Sequence, residues 1–236
     1  MNNFIKLNQH TSSAKQILAD FAMDLYNLRT DEMVFVCGRG FQIRNDQFIA
    51  NENKLDLWND SINLFDKNYF KSYDGTVDAS EYFVKNPMVK AGTAFALTGL
   101  TKLVLGDHRG KRAFVQACDM LVLRDTNKNG VWEEKTIHKV TAANLHAASS
   151  FQIKDKVRIV GRNSAVCTVP ELLWTDFAWN NDFIKRADLS GQKHFYRLYV
   201  DVRELALYMG EKYNNRTNKD YSNVLYEYRQ KLTASK

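Results

Sequence analysis

Proline is nearly missing: only Pro87 and Pro170 occur in 236 residues, which excludes a proline-rich linker or a polyproline II segment. Cysteine is almost as scarce. Cys37, Cys118 and Cys167 stand alone, with no CxxC pair and no even-numbered set, so neither a zinc ribbon nor a disulfide scaffold is indicated. Reduced thiols in a cytoplasmic setting fit best. Long apolar runs are lacking too. No stretch of about eighteen apolar residues is present, so no membrane span is expected, and the start MNNFIKLNQH lacks the apolar stretch of a secretory leader. Among catalytic signatures HExxH, the P-loop and GxSxG are absent. Helix-turn-helix, zinc-finger and RNP motifs are missing as well.

What is there is an ordinary globular composition, 44% hydrophobic and 25% charged, long enough for a real core. The net charge of +6 is unevenly spread. Residues 1–84 hold 8 Lys/Arg against 12 Asp/Glu, a balance of −4, and residues 85–236 hold 25 against 15, a balance of +10. Such a division suggests one side facing a polyanion and another facing elsewhere. One domain over 1–236 is expected, with an acidic mixed region 1–84, a central β region 85–168 and a helical region 169–236.

The N-terminal part begins with a helix. Thr11-Ser12-Ser13 offers cap hydroxyls, and Ala14, Leu18, Phe21, Leu25 and Leu28 recur on one face up to about Arg29. Met33–Val36 reads as a strand that bends at Gly38-Arg39-Gly40 and resumes at Phe41–Ile43. A helix is expected near Leu55–Phe65, and a short one over Ala79–Lys85 ahead of Pro87.

The centre of the chain, about 91–162, reads as an antiparallel sheet. Ala94–Leu105, Lys111–Arg124 and Val131–Val140 are strands joined by the turns Gly106–Gly110 and Asp125–Gly130. Thr141–Ala148 suits a short helix, and Phe151–Val160 a further strand. Strand–strand–strand–helix–strand is the order of a small OB-type barrel, one way for this sheet to close. The fold class is α+β: this sheet with an N-terminal helix and a C-terminal helical cap. That cap starts at Pro170 and includes Phe195–Met209 (Leu198, Val202, Leu205 and Met209 on one face) and a last helix striped by Tyr221, Leu225, Tyr228 and Leu232.

Asp125–Gly130 imitates the start of a calcium loop, but the twelfth position is Thr136 where a bidentate carboxylate is needed. A hairpin turn is the simpler reading, and no metal or cofactor is expected. Cys118 and His138 stand nearly symmetrically about that turn and could face each other as a thiolate pair, while His108 could serve as an acid or base. Neither has an identifiable third partner, so catalysis is not the leading expectation.

The leading signal is basic. Arg109, Lys111 and Arg112 ring the first turn. Lys154, Lys156 and Arg158 alternate along one strand and so share a face. Lys102, Lys139 and Arg162 lie near strand ends, and Trp132 offers a stacking ring. Together they predict a face that neutralises phosphates and stacks unpaired bases, hence sequence-tolerant binding of single-stranded DNA or RNA. Two alternatives are a viral or phage assembly protein that self-associates through its terminal helices, and a nucleic-acid-processing enzyme.

Overall fold

In the computed structural model, residues 12–128 and 137–209 are described. Helix α1 (Ala14–Tyr26) begins where Ser13 accepts the Gln16 amide hydrogen and ends where Asn27 turns left-handed at φ 50°. Both are common terminators, because a short polar side chain satisfies orphan amides and tolerates that backbone. Then follow β1 (Val34–Arg39), β2 (Phe41–Arg44), β3 (Gln47–Ala50), β4 (Asp60–Asp66), β5 (Tyr69–Thr76) and α2 (Glu81–Lys85). The middle of the chain supplies β6 (Thr93–Ala96), β7 (Gly99–His108), β8 (Lys111–Gln116), β9 (Met120–Asp125), β10 (His138–Val140), β11 (Gln152–Lys154) and β12 (Val157–Ile159). Last come β13 (Val169–Pro170), a π-helical stretch Trp179–Lys185 running into α3 (Arg186–Ser190), β14 (Phe195–Asp201) and α4 (Val202–Tyr208).

The result is α+β, with a seven-stranded mixed sheet curled into a half-barrel in the order β13-β5-β4-β1-β14-β7-β8. It combines strands from the beginning (β1, β4, β5), middle (β7, β8) and end (β13, β14) of the chain. Only β1 and β14 run parallel, with Val34 opposite Tyr196 and Arg39 opposite Asp201. All six residues of β1 are buried, as expected for a strand covered on both faces. The period of two sorts them. Phe35 and Cys37 join Leu103, Phe114 and Tyr199 in the concave core, while Val34 and Val36 meet Leu18 and Phe21 of α1 and Leu205 of α4 on the convex side.

The sheet expected within 91–162 does not stand by itself. Ala94–Leu105 divides into β6 and β7, and Lys111–Arg124 into β8 and β9. β7 and β8 join the large sheet, whereas β6, β9 and β10 form a separate three-stranded one. Phe151–Val160 is a hairpin, β11 with β12, and among the described residues no ladder joins these pieces into one small barrel. Thr141–Ala148 is extended rather than helical, and Leu55–Phe65 leads into β4 instead of a helix. Pro170 lies in a strand, and Phe195–Met209 is a strand followed by a helix. The last predicted helix and Trp132 fall outside the described residues. Among the described residues no helix is long and apolar enough to cross a membrane.

Extended residues 144–148 lie across the open side of the half-barrel. Leu145 exchanges backbone hydrogen bonds with Phe114 of β8 at 2.9 and 3.0 Å. On its other flank the Thr168 amide donates to Asn144 O at 2.9 Å and the His146 amide to Thr168 O at 3.1 Å. Gln116 fastens the same segment through its side chain: Nε2 donates to Val140 O, and Oε1 accepts from the Ala143 amide at 2.7 Å. Thr141–Ala148 has good helix formers, but five of these bonds, made by Ala143, Asn144, Leu145 and His146 to neighbouring segments, outweigh a preference worth only tenths of a kcal/mol per residue.

The two sheets meet at a buried ion pair. Arg39 Nε donates to Asp78 Oδ1 at 2.9 Å, its Nη1 to Ala96 O of β6 at 2.8 Å, and its guanidinium lies 3.8 Å from the Phe95 ring centroid. Asp60 lies beside this pair and accepts the Gly40 and Val77 amide hydrogens, each at 2.9 Å. Burial, together with the neighbouring Asp78 carboxylate, pushes the Asp60 carboxyl up. Removing the one cation should strand two carboxylates. Arg39→Ala is expected to cost about 3–5 kcal/mol, read from the urea midpoint. A loss below about 1 kcal/mol would show that Arg39 does not hold the sheets together.

Candidate nucleic-acid interface

Between the small sheet, the β7–β8 turn and residues 139–146 lies a pocket of about 550 Å³, within the range of ligand sites. The β7–β8 turn supplies the first two groups. It is a two-residue hairpin closed by His108 and Lys111, with Arg109 at φ 55° and Gly110 at φ 79°. Such a turn favours Asn-Gly because both positions are left-handed. Here a bulky arginine takes the first one and points its charge at the pocket mouth. From the small sheet come Arg124 of β9 and Lys139 of β10, and Arg162 comes from the 3₁₀ turn Gly161–Asn163. The loop before β6 forms the lip with Met88 and Val89, which are well exposed. Gly92 lets that loop close on β9, because a Cβ there would come within 1.9 Å of Asp125 O.

Among the described residues, not one aspartate or glutamate lines this pocket. Arg109, Arg124 and Arg162 have no carboxylate within 4.0 Å among the described residues, and Lys139 alone is paired, to Asp119 at 3.2 Å. Arg162 instead lies 4.4 Å over the Tyr82 ring, and Arg124 donates to Gly92 O at 2.8 Å. Burial pulls the Arg124 guanidinium below its ordinary value, though it stays charged.

The inner wall is a stack of rings. His108 lies 4.1 Å from His146, nearly parallel at 12°, and His146 lies 5.7 Å from Trp174 at 9°. Lys111 covers the far ring, its Nζ 5.4 Å from the Trp174 centroid. The tautomers follow from the partners. Gln116 N–H donates to Asn144 Oδ1 at 3.0 Å, so the Asn144 amide nitrogen is what faces His108 Nδ1 at 2.9 Å. His108 Nδ1 therefore accepts, and its proton sits on Nε2. His146 Nδ1 donates to Ala147 O at 2.8 Å, which leaves Nε2 as an acceptor. Burial holds both imidazoles down to about 4, helped at His108 by His146 and at both by Arg109. Neutral stacked rings are what the geometry needs, since two imidazolium ions in contact would repel.

Behind the floor lies Arg197 of β14, fully buried. Its Nη1 donates to Thr168 Oγ1 at 3.1 Å, and it lies 4.6 Å over the Tyr199 ring. Among the described residues no carboxylate pairs with it. Cys167, at the pocket floor, lies between this charge and Arg109, and its thiol is pushed up by burial.

No family model, curated protein or solved structure matches this chain. The site therefore stands on its own geometry.

Of the ten residues expected to form the basic face, Arg109, Lys139 and Arg162 line the pocket, and Lys111 lies beside it. The rest disperse. Lys102 sits six residues back along β7 from His108, about 20 Å away at the rise of a strand. Arg112 is bound to Asp188 by two hydrogen bonds of 2.7 Å. Lys154, Lys156 and Arg158 do not share a face, because Asp155 and Lys156 are a hairpin turn. Lys154 is opposite Val157 and Arg158 opposite Ile153, so the two charges project from opposite sides. Each also meets a carboxylate, Glu81 at 3.4 Å and Glu171 at 3.3 Å. Cys118 and His138 do not face each other either. His138 pairs with Val122, while Cys118 Sγ accepts the Lys102 amide hydrogen. Asp125 is buried at the end of β9, and the rest of its turn passes outside the described residues.

Arg124, Asn144 and His146 were not among the expected site residues. Arg124 looked like the end of an apolar strand, and the other two lay in a segment with helical composition.

The histidine pair has a pH signature. The unfolded chain takes up protons near 6.5, but the folded pair refuses them until about 4. Its contribution to stability is full above 6.5 and drains as pH falls toward 4. In an NMR titration, the ring nitrogens of His108 and His146 are expected to keep neutral-form shifts at pH 5. Asn144→Ala should move the His108 transition upward, because the bond to its neutral form is gone. Wild-type transitions near 6.5 would contradict the assigned tautomers.

Proposed function

We propose that this protein binds nucleic acid without regard to sequence, holding backbone phosphates on the cations around the 550 Å³ pocket. One observation carries the reading: four cationic side chains from four separate elements converge on a lining that has no carboxylate among the described residues. Elsewhere on the chain, cations such as Arg44, Lys71, Arg112 and Arg186 pair with acidic neighbours. Of the four, Arg109, Arg124 and Arg162 have no carboxylate within 4.0 Å among the described residues, while Lys139 meets Asp119. Cations converging in a concavity raise the local potential and attract anions. A polyphosphate chain answers that demand by releasing its own counterions. The separate hairpin β11–β12, where Lys154 and Arg158 are already neutralised, takes no part. We infer a cytoplasmic setting from the three free cysteines.

Labelled single-stranded DNA, duplex DNA and RNA titrated at several salt concentrations provide the test. Binding at low salt should be about micromolar or tighter, with a log–log salt slope of about −2 to −3 for single strands, as four phosphate contacts require. Arg109→Glu combined with Arg162→Glu should weaken it by about tenfold or more. Lys154→Glu combined with Arg158→Glu should leave it unchanged. A flat salt response, or greater loss from the hairpin pair than from the pocket pair, would reject the proposal.

A further inference from the structure

We propose that the pocket receives one unstacked base of a single strand, while the phosphates on either side of that nucleotide stay at its rim. This rests on the nucleic-acid reading above and goes on to name what enters the cavity.

Arg109, Lys139 and Arg162 are exposed at the mouth. Going inward, the walls turn apolar through Phe83, Ala94, Val140 and Val166, and the floor is made by buried His146 and Cys167. A phosphate drawn into such a space would lose water and gain little, because the interior has few donors. A planar heterocycle has the opposite preference. Its faces match apolar walls, and its edge needs a few hydrogen-bond partners of both kinds.

Those partners are present. His108 Nε2–H is a donor and His146 Nε2 an acceptor, both on pocket-lining rings and both without a protein partner among the described residues. Their roles are fixed by Asn144 and by the Ala147 carbonyl, so the pair presents one donor and one acceptor instead of two positive charges. Every nucleobase carries donors and acceptors on its edge, which makes the pairing tolerant of sequence. Beside the mouth, Tyr82 under Arg162 adds an aromatic face next to a cation, the combination that holds single strands. A base within a duplex would first have to leave its stack and its partner, at a cost of a few kcal/mol. The pocket should therefore prefer unpaired nucleotides.

The experiment compares wild-type protein on a single-stranded oligonucleotide and on an abasic oligonucleotide of the same length and charge, at one salt concentration. Base insertion predicts about tenfold or greater weakening on the abasic strand, the equivalent of one lost stacking contact. A competition arm then adds adenosine 5′-monophosphate or ribose 5-phosphate, and only the nucleotide should displace the oligonucleotide. Equal binding of normal and abasic strands, or equal competition by the two small phosphates, would overturn base insertion and leave the backbone reading standing. Failure of both strands to bind would reject the nucleic-acid reading itself.

Discussion

The fold and the site both depend on one stretch of backbone pairing, the ladder from Phe114 through Leu145 to Thr168. Seven strands curl only part of the way round, and the extended residues 144–148 bridge what is left between β8 and the chain entering β13. Leu145 turns inward and joins the concave core. Its neighbours Asn144 and His146 line the pocket instead, because adjacent residues of an extended chain point to opposite sides. A shift of register by one residue would exchange the two sets. Gln116 guards against that with a backbone bond to Asn144 and two side-chain bonds to Val140 and Ala143 just ahead of it.

Electrostatics follow from that geometry. The segment carries no charge of its own, yet it sets Asn144 against His108, and this holds the β7–β8 turn and Arg109 in place. Elsewhere, cations such as Arg44, Lys71, Arg112 and Arg186 meet carboxylates. At the pocket, among the described residues, acidic side chains are left out of the lining, and the interior behind the floor holds a buried Arg197 with no carboxylate paired to it. An unpaired guanidinium inside a core is costly, so its hydroxyl, sulfur and aromatic contacts are only partial compensation. The whole region is polarised toward anions.

Local chemistry made some of this legible in the sequence. α1 was readable because its cap and its 3.6-residue stripe agree, and the strand at Val34 because four apolar residues in a row suit a strand covered on both sides. The β7–β8 turn showed itself through Asp107, Gly110 and their polar neighbours, and Arg109 came with it. Other elements were hidden for specific reasons. The breaks after Ala96 and Gln116 contain no glycine or proline, so two pairs of strands looked like two long ones. Phe195–Met209 carries a helical stripe, but its first half is a strand that ends at Asp201, which caps α4 by accepting the Arg203 amide hydrogen. The alternating charges of Lys154, Lys156 and Arg158 implied a shared face only while the strand was taken as unbroken, and the turn at Asp155-Lys156 separates them. Most of the site depends on non-local pairing. Nothing within a window of fifteen residues indicates that Thr141–Ala148 will lie extended between two strands, or that Arg124 will come close to Arg162.

The central claim is that Arg109, Arg124 and Arg162 act together as one anion-binding surface. Nitrogen-15 spectra of the arginine side chains, recorded during titration with pyrophosphate, test this most directly. The account predicts that the Nε–H signals of these three residues shift along one common saturation curve, while Arg112 and Arg158, held by Asp188 and Glu171, stay in place. Independent curves for the three, or larger shifts at Arg112 and Arg158, would contradict it.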